Sequence, residues 1–331
     1  MVFDAILRFR LRSKPDNYSA IDKYTSESPG NGAPIQPRRR QDATPTPAKP
    51  AFLTIADLPP WRDPNPFILT GYRRQSRSFA ASFASWLYWH NESCNIYSHL
   101  IPGTVLVILL GQGALYDHVR GRRPDLESFD AAVLALQAVT AAFCFLVSAA
   151  YHTLVDHSPE VAHRWLQLDY VGIITLILGN FVSGLHFGFY CTEPLKYFYW
   201  ALILFLGSAT ATLLLIPGFR GPEWRSLRLA SFVGTGLSAF APIGHASWLW
   251  GLSYTSRIGV PYYLLEGLFL VIGCFFWERR IPERLAPGKF DFCGHSHTVW
   301  HVFVALSVVA HICGLVSALD YVYDHEWCRV G

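Results

Sequence analysis

Residues 297–322 have the sequence HTVWHVFVALSVVAHICGLVSALDYV, which decides the class of this protein. The stretch holds one acidic residue, Asp320, near its end and no Lys or Arg. A run of about 20 mostly apolar residues is long enough for one helix to cross the hydrocarbon core of a bilayer. The stretch is therefore predicted to be a transmembrane helix. Its first turn carries His297 and His301, which are candidate functional residues because polar groups inside a membrane are costly.

Seven runs of this kind occur along the chain, and fewer spans would leave long apolar stretches in water. The predicted spans are 96–116, 129–153, 165–188, 196–216, 228–249, 259–278 and 298–322. The gaps between them hold Pro, Gly and charged residues, which favour turns. The predicted fold class is all-α, a polytopic membrane protein with seven transmembrane helices.

Composition supports a membrane protein over soluble domains. Of the 331 residues, 51% are apolar, 15% are aromatic and only 15% are charged, against roughly 25% charged in soluble domains. The mean hydropathy is +0.24. The net charge of +3 is small and dispersed, so nucleic acid is not an expected partner.

Four regions are predicted along the chain. They are a disordered cytoplasmic tail (1–58), a juxtamembrane segment (59–95), the seven-helix domain (96–322) and a short outer tail (323–331). The tail is rich in Pro, Ser, Thr and charged residues, which cannot bury a core. In the juxtamembrane segment Phe79, Phe83 and Leu87 fall at helical spacing, which indicates an amphipathic helix lying in the membrane interface.

Lys and Arg in the short loops indicate the orientation. With a cytoplasmic N-terminus, the inner loops hold Arg164, Arg220, Arg225, Arg279, Arg280, Arg284 and Lys289. The outer loops hold fewer cations, although the first of them is itself basic. The prediction is a cytoplasmic N-terminus and an outer C-terminus, in the plasma membrane or an endomembrane.

Two cysteines, Cys191 and Cys328, lie outside the spans on the predicted outer side. An oxidising compartment permits disulfides, so these two residues could pair.

Ionisable residues are predicted to meet in one leaflet. The second span ends with His152, the third opens with Asp169, and the seventh opens with His297 and His301. The ends of even spans and the starts of odd spans share one side of the membrane, whatever the absolute orientation. His99, at the start of the first span, belongs to the same side.

The histidines have the pattern of a zinc site. His297 and His301 are one helical turn apart, with Cβ atoms about 5–6 Å from each other. With His152 they supply three nitrogen ligands, the number typical of a catalytic zinc. Ser148, one turn before His152, and Asp169 are candidate catalytic residues that could hydrogen-bond a metal-bound water. The alternative is that the histidines are only satisfied polar residues between helices.

The other buried polar residues are weaker candidates. His186, His245 and His311 are interpreted as packing or lipid-interface residues, and His295 as a loop residue. Glu266 in the sixth span has two interpretations. It is either a hydrogen-bond partner between helices or an acid in a substrate pocket.

These motifs resemble the progestin and adipoQ receptor family, also called the haemolysin III-related family, with fungal adiponectin-receptor-like members looking closest. The similarity extends from about Leu58 to Leu319. It includes Leu58-Pro59-Pro60-Trp61, Thr70-Gly71-Tyr72-Arg73, the stretch HNESCNIYSHL at 90–100, Ser148 with His152, Asp169-Tyr170 with Gly172, Pro282-Glu283-Arg284, Pro287-Gly288-Lys289-Phe290-Asp291, and His297 with His301. One departure is Thr298, where the family usually has Gln.

The resemblance implies a seven-helix fold with a cytoplasmic N-terminus and zinc held by His152, His297 and His301, with Asp169 and Ser148 beside the metal. The family is viewed as receptors or as lipid amide hydrolases related to alkaline ceramidases. Fungal members are linked to zinc and to sterol or lipid homeostasis.

Three functions remain open. In the first, zinc-activated water with Asp169 as general base hydrolyses a lipid amide such as ceramide. In the second, the protein is a non-enzymatic receptor with zinc as a structural clasp, and in the third it senses zinc for homeostasis. The expected partner is a membrane lipid, whether ceramide, a fatty acid or a sterol-like molecule. The favoured interpretation is a receptor-like membrane protein with latent hydrolase chemistry.

Overall fold

The computed structural model describes residues 52–219 and 222–325, which are mostly helical, and their longest non-helical stretches are 58–78 and 280–295. The α-helices are α1 (Phe79–Ala84), α2 (Ser93–Gly111), α3 (Ala114–Arg122), α4 (Ser128–Leu154), α5 (Pro159–Gly188), α6 (Glu193–Leu215), α7 (Arg225–Leu237), α8 (Phe240–Arg257), α9 (Val260–Arg279) and α10 (Ser296–His325). Short 3-10 helices cover Ile55–Asp57, Ser85–Leu87, Pro217–Phe219 and Pro222–Trp224. The extended segment before α1 pairs at one bridge, between Leu53 and Tyr72.

Six of the described helices are long and apolar enough to cross a membrane, namely α2, α4, α5, α6, α9 and α10. Their bounds lie within a few residues of the predicted spans, because the apolar length of a run fixes where a crossing helix begins and ends. The prediction of an all-helical polytopic membrane protein is confirmed at this level. Seven spans and the sides of the two termini stay predictions.

The predicted fifth span, 228–249, is not one helix. It is divided between α7 and α8, with two residues between them. The 13 residues of α7 span about 20 Å at 1.5 Å per residue, less than the roughly 30 Å hydrocarbon core. Within α8, Gly251 has φ +79°, a conformation that a residue with a side chain rarely adopts.

The bundle centre is made by α4, α5 and α10. Helix α4 packs on α2 and α5, and α10 packs on α9, α2 and α5. A Cβ atom at Gly179 in α5 would lie 2.1 Å from Oγ1 of Thr140 in α4, so glycine permits the close approach of these helices. Buried Ala141, Phe145 and Val308 fill the space among them.

The predicted amphipathic helix of the juxtamembrane segment is shorter than expected. It consists of α1 and the following 3-10 turn, and the Ser78 hydroxyl caps α1 by accepting from the backbone N–H of Ala81. Phe79, Phe83 and Leu87 are exposed, as an interfacial helix requires. Its place in the membrane interface stays a prediction.

Most of the predicted disordered tail, through residue 51, and most of the predicted outer tail, from residue 326, lie outside the described residues. Cys191 is disulfide-bonded. Cys328 lies outside the described residues, so its pairing with Cys191 stays a prediction.

Candidate metal centre

His152, His297 and His301 meet at one end of the bundle, as their positions in the predicted spans require. One nitrogen of each ring lies within 4.8 Å of the others, and Nε2 of His152 is 3.2 Å from Nε2 of His297. His152 lies in the last turn of α4, while the other two lie in the first turns of α10. We refer to these three residues as the histidine site, and they could hold a metal ion.

Two of the three rings, those of His152 and His301, form hydrogen bonds through Nδ1. Their Nε2 atoms therefore face the centre of the histidine site. Nδ1 of His152 lies 2.8 Å from Oε2 of Glu92. Nδ1 of His301 lies 3.1 Å from the backbone oxygen of Asn95 and 3.1 Å from Oγ of Ser98. A neutral ring that donates from Nδ1 keeps the lone pair of Nε2 for a metal. Three neutral imidazole nitrogens are a donor set that fits zinc.

Glu92, which precedes α2, belongs to this site although its position in the sequence indicates no such role. Besides His152, its carboxylate accepts from Nδ2 of Asn95 at 2.7 Å. Both of these hydrogen bonds stabilise the charged carboxylate. The group is therefore the carboxylate acceptor that orients a histidine ligand. The contact joins residues 60 positions apart, so local spacing could not reveal it.

Arg73 fixes the end of α4 that carries His152. Its guanidinium donates to the backbone oxygens of His152 at 2.7 Å and Thr153 at 3.0 Å. It also pairs with Asp156 at 3.1 Å, and both side chains are buried. The last carbonyls of a helix lack partners within the helix, and a basic side chain supplies them here. This explains Arg73 in the Thr70–Arg73 motif, to which the sequence assigned no function.

Glu283 fixes the start of α10 in the same way. Its Oε2 accepts from the backbone N–H of Ser296 at 2.7 Å, its Oε1 accepts from the Ser296 hydroxyl, and Oε1 also accepts from Nδ2 of Asn65 at 2.8 Å. A carboxylate at a helix N-terminus satisfies free N–H groups and complements the helix dipole. The first turn of α10, and with it His297, is thereby positioned.

Asp169 and Ser148 lie beside the three histidines. Both line the cavity that reaches the histidine site. Among the described residues, the ligand atoms that lie within 4.8 Å of one another are nitrogens of the three histidines, and no carboxylate oxygen of Asp169 belongs to this group. The placement suits a residue that acts next to a metal rather than as its ligand.

The neighbours of His301 account for two further residues of the motifs. The ring of His99 stacks on that of His301 with centroids 3.8 Å apart. Thr298, at the position where the sequence departs from the resemblance, donates to Oδ1 of Asn95 at 2.7 Å. The backbone oxygen of Asn95 accepts from Nδ1 of His301. Thr298 therefore helps to position the His301 ring through Asn95.

Comparisons with known proteins show the family of this chain. The family model described as haemolysin-III related matches residues 87–312. The chain belongs to the haemolysin-III related family.

Relatives within this family cover most of the chain. The ADIPOR-like receptor IZH1 of Eremothecium gossypii is 34% identical over 273 residues, 82% of this chain and 86% of that protein. The ADIPOR-like receptor IZH2 of Saccharomyces cerevisiae is 33% identical over 303 residues, 87% of this chain and 94% of that protein. The adiponectin receptor protein of Drosophila melanogaster is 34% identical over 275 residues, 83% of this chain and 61% of that protein.

This haemolysin-III related chain also contains a second buried polar network, which we call the Glu266 cluster. It comprises Gln137, Asn180, Ser183, Glu266 and His311 from four helices. Oε1 of Glu266 accepts from Asn180 at 2.6 Å, and Oε2 lies 2.7 Å from Nδ1 of His311. Nε2 of His311 lies 3.0 Å from the Ser183 hydroxyl. Glu266 therefore joins helices, the first of its two interpretations.

The remaining histidines have structural partners. His186 bonds Asp130 at 2.6 Å, and His245 bonds the Tyr199 hydroxyl at 2.9 Å. His295 lies in the connection before α10, as predicted.

A cavity of about 1630 Å³ connects the two polar regions. Its wall is mostly apolar and includes Ile173, Leu176, Phe232, Leu264, Leu270 and Val304. Most of its lining residues belong to α5, α7, α8, α9 and α10. A long apolar chamber with polar groups at separate places has the form of a site for a lipid chain.

Proposed function

We propose that this chain is a zinc-dependent, receptor-like membrane protein that hydrolyses the amide bond of a membrane lipid such as ceramide. The observation that carries the proposal is the position of the histidine site at one end of a large, mostly apolar cavity. An acyl chain in the cavity would place its polar amide group beside the histidines and Asp169. A fatty acid or a sterol-like lipid would fit the same chamber as product or ligand.

Each residue of the site would have a separate role in amide hydrolysis. His152, His297 and His301 would hold the ion through their Nε2 atoms. Zinc, when bound, supplies a Lewis acid that polarises a carbonyl and lowers the pKa of water toward about 7. The Asp169 carboxylate would accept a proton from water as its oxygen adds to the carbonyl carbon, and would return it to the amine nitrogen as the C–N bond breaks. Ser148, which lines the same cavity, would orient Asp169 by donating a hydrogen bond to its carboxylate.

In this proposal the helix pair α7 and α8 supplies the fifth of seven spans, with the N-terminus in the cytoplasm. Arg73 and Glu283 then lie at the cytoplasmic end of the bundle with the histidine site. The protein resides in the plasma membrane or an endomembrane and acts in lipid and zinc homeostasis.

A non-enzymatic receptor or zinc sensor is the second candidate. The histidine site joins α4 to α10, so an ion held there would fasten two helices together. Relatives carry the names ADIPOR-like receptor and adiponectin receptor protein. In this alternative zinc is a structural clasp, and Asp169 has no chemical task.

The variant Asp169→Asn separates the two candidates. An amide cannot take a proton from water, so the enzyme proposal expects zinc to stay bound while ceramide hydrolysis is lost. The measurements are zinc per protein by elemental mass spectrometry, and fatty acid released from a fluorescent ceramide by the purified protein. The matched control is Asp320→Asn, because Asp320 pairs with Arg123 away from the cavity and its loss should leave both quantities unchanged.

Full hydrolysis by Asp169→Asn would contradict the assignment of Asp169 as the base. Absence of hydrolysis by the zinc-loaded wild type, with a histidine variant that unfolds, would favour the clasp.

A further inference from the structure

The Glu266 cluster faces the same cavity as the histidine site. Asn180, Glu266 and His311 all line that cavity, and 13% of the Glu266 side chain is exposed. The carboxyl group is therefore accessible to whatever occupies the cavity.

The hydrogen bonds within the cluster limit what a ligand can offer to Glu266. Each carboxyl oxygen already has one partner, Asn180 on Oε1 and His311 on Oε2. A proton held between Oε2 and Nδ1 of His311 makes the pair neutral overall, the arrangement that costs least inside a membrane. The oxygens can then only accept further hydrogen bonds. A matching ligand group must donate, and it must be uncharged to keep the site neutral.

A tyrosine hydroxyl beside this cluster lacks a partner among the described residues. The ring of Tyr263 lies 5.1 Å from that of His311, centroid to centroid, and its hydroxyl is buried without a hydrogen bond. Gly184 lies opposite, where a Cβ atom would be 3.7 Å from both rings. A buried hydroxyl without a partner costs about 1–3 kcal/mol. A ligand group that both donates and accepts, such as a hydroxyl, would satisfy Tyr263 and Glu266 together.

The separation of the two polar regions sets the position of that hydroxyl on the ligand. His301 of the histidine site and His311 are ten positions apart on α10, or about 15 Å at 1.5 Å per residue. Apolar side chains line the wall between them. We infer that the cavity prefers a lipid whose chain bears a hydroxyl group far from its polar head, bound by Glu266 and Tyr263. This inference rests on the proposed function, since it requires a lipid with its head at the histidine site.

The test is direct binding of fatty acids to the full chain in lipid nanodiscs. The probes are stearate, stearate hydroxylated on its twelfth carbon, and stearate hydroxylated on its second carbon. We expect the twelfth-carbon hydroxyl to tighten binding about tenfold over stearate, as a hydrogen bond to a charged group does. A hydroxyl on the second carbon lies next to the head and should give no gain that depends on Glu266.

Two variants of the cluster and one control complete the test. Glu266→Gln keeps the size of the side chain and an acceptor for Asn180. In this variant the gain in affinity from the twelfth-carbon hydroxyl should fall to roughly threefold or less. Tyr263→Phe removes a hydroxyl without a protein partner, so the protein should fold normally while the gain is reduced. Tyr262→Phe is the matched control, because Tyr262 is exposed and outside the cavity lining, and should keep the full gain.

The outcomes separate the inference from the proposed function. Equal binding of stearate and its twelfth-carbon hydroxyl form by the wild type would overturn the inference and leave the lipid cavity intact. A gain that persists in both Glu266→Gln and Tyr263→Phe would also overturn it. Binding of no fatty acid at all would contradict the proposed lipid site itself, and with it the inference.

Discussion

The histidine site and the Glu266 cluster are both buried and polar, but their ring nitrogens have opposite surroundings. Both nitrogens of His311 have a partner of complementary character, Glu266 on one side and Ser183 on the other. In the histidine site, Nε2 of His152 instead faces Nε2 of His297 at 3.2 Å. Acceptor nitrogens turned toward one another need a cation or a proton between them. The ring nitrogens of His311 are therefore satisfied by protein side chains, whereas the facing nitrogens of the histidine site are placed to receive a cation.

The largest expected effect comes from His301→Ala. The variant removes one of three nitrogen ligands, and the two that remain come from different helices. We expect the purified protein to lose essentially all of its zinc, measured by elemental mass spectrometry after dialysis against buffered zinc. The matched control is His311→Gln, which alters the Glu266 cluster on the same helix and should retain zinc. Equal loss from both variants would show that the two regions do not differ as we argue.

The comparison also explains what the sequence could predict. The convergence of His152, His297 and His301 followed from span topology, because alternate helix ends must share a side. The i, i+4 spacing of His297 and His301 added a common helix face. These features depend only on the order and length of apolar runs, which the sequence displays directly.

Other parts depend on contacts between distant residues. Glu92, Arg73 and Glu283 each bond a helix end or a ring on another segment, and the periodicity of their own segments gives no sign of the partner. The division of the fifth span into α7 and α8 was also missed, since its apolar composition continues across the break. Of the Glu266 cluster, the sequence indicates only Glu266, with two open interpretations, and His311 as a packing or lipid-interface residue.

The second-largest effect is expected from Glu92, the residue that orients His152. Glu92→Gln keeps the side-chain size but replaces a carboxylate with a neutral amide opposite Nδ1 of His152. Loss of such a partner costs about 10–100-fold in metal affinity, and we expect the apparent zinc affinity to fall in this range. Competition with a fluorescent chelator measures it.

The matched control for Glu92→Gln is Ser98→Ala. Nδ1 of His301 would still bond the backbone oxygen of Asn95 at 3.1 Å, so zinc affinity should change much less. If Ser98→Ala lowers the affinity as far as Glu92→Gln does, the carboxylate has no special part in orienting a ligand.

The smallest effect is expected from the Glu266 cluster, and it concerns the free energy of unfolding rather than zinc binding. Asn180 accepts from Gln137 at 2.6 Å and donates to Glu266 at 2.6 Å, so Asn180→Leu breaks the Glu266 cluster at its centre. Hydrogen bonds between membrane helices contribute about 0.6–2 kcal/mol each. We expect the free energy of unfolding in detergent to fall by about 1–2 kcal/mol, while zinc content stays at the wild-type level. The control is Thr210→Val, which breaks the hydrogen bond between the Thr210 hydroxyl of α6 and the Thr235 hydroxyl of α7. The free energy of unfolding should fall less in this variant, because it loses one hydrogen bond and leaves no buried carboxylate without a partner. Loss of zinc from Asn180→Leu would mean that the two regions form one unit, and the contrast between ring nitrogens satisfied by the protein and ring nitrogens placed for a cation would fail.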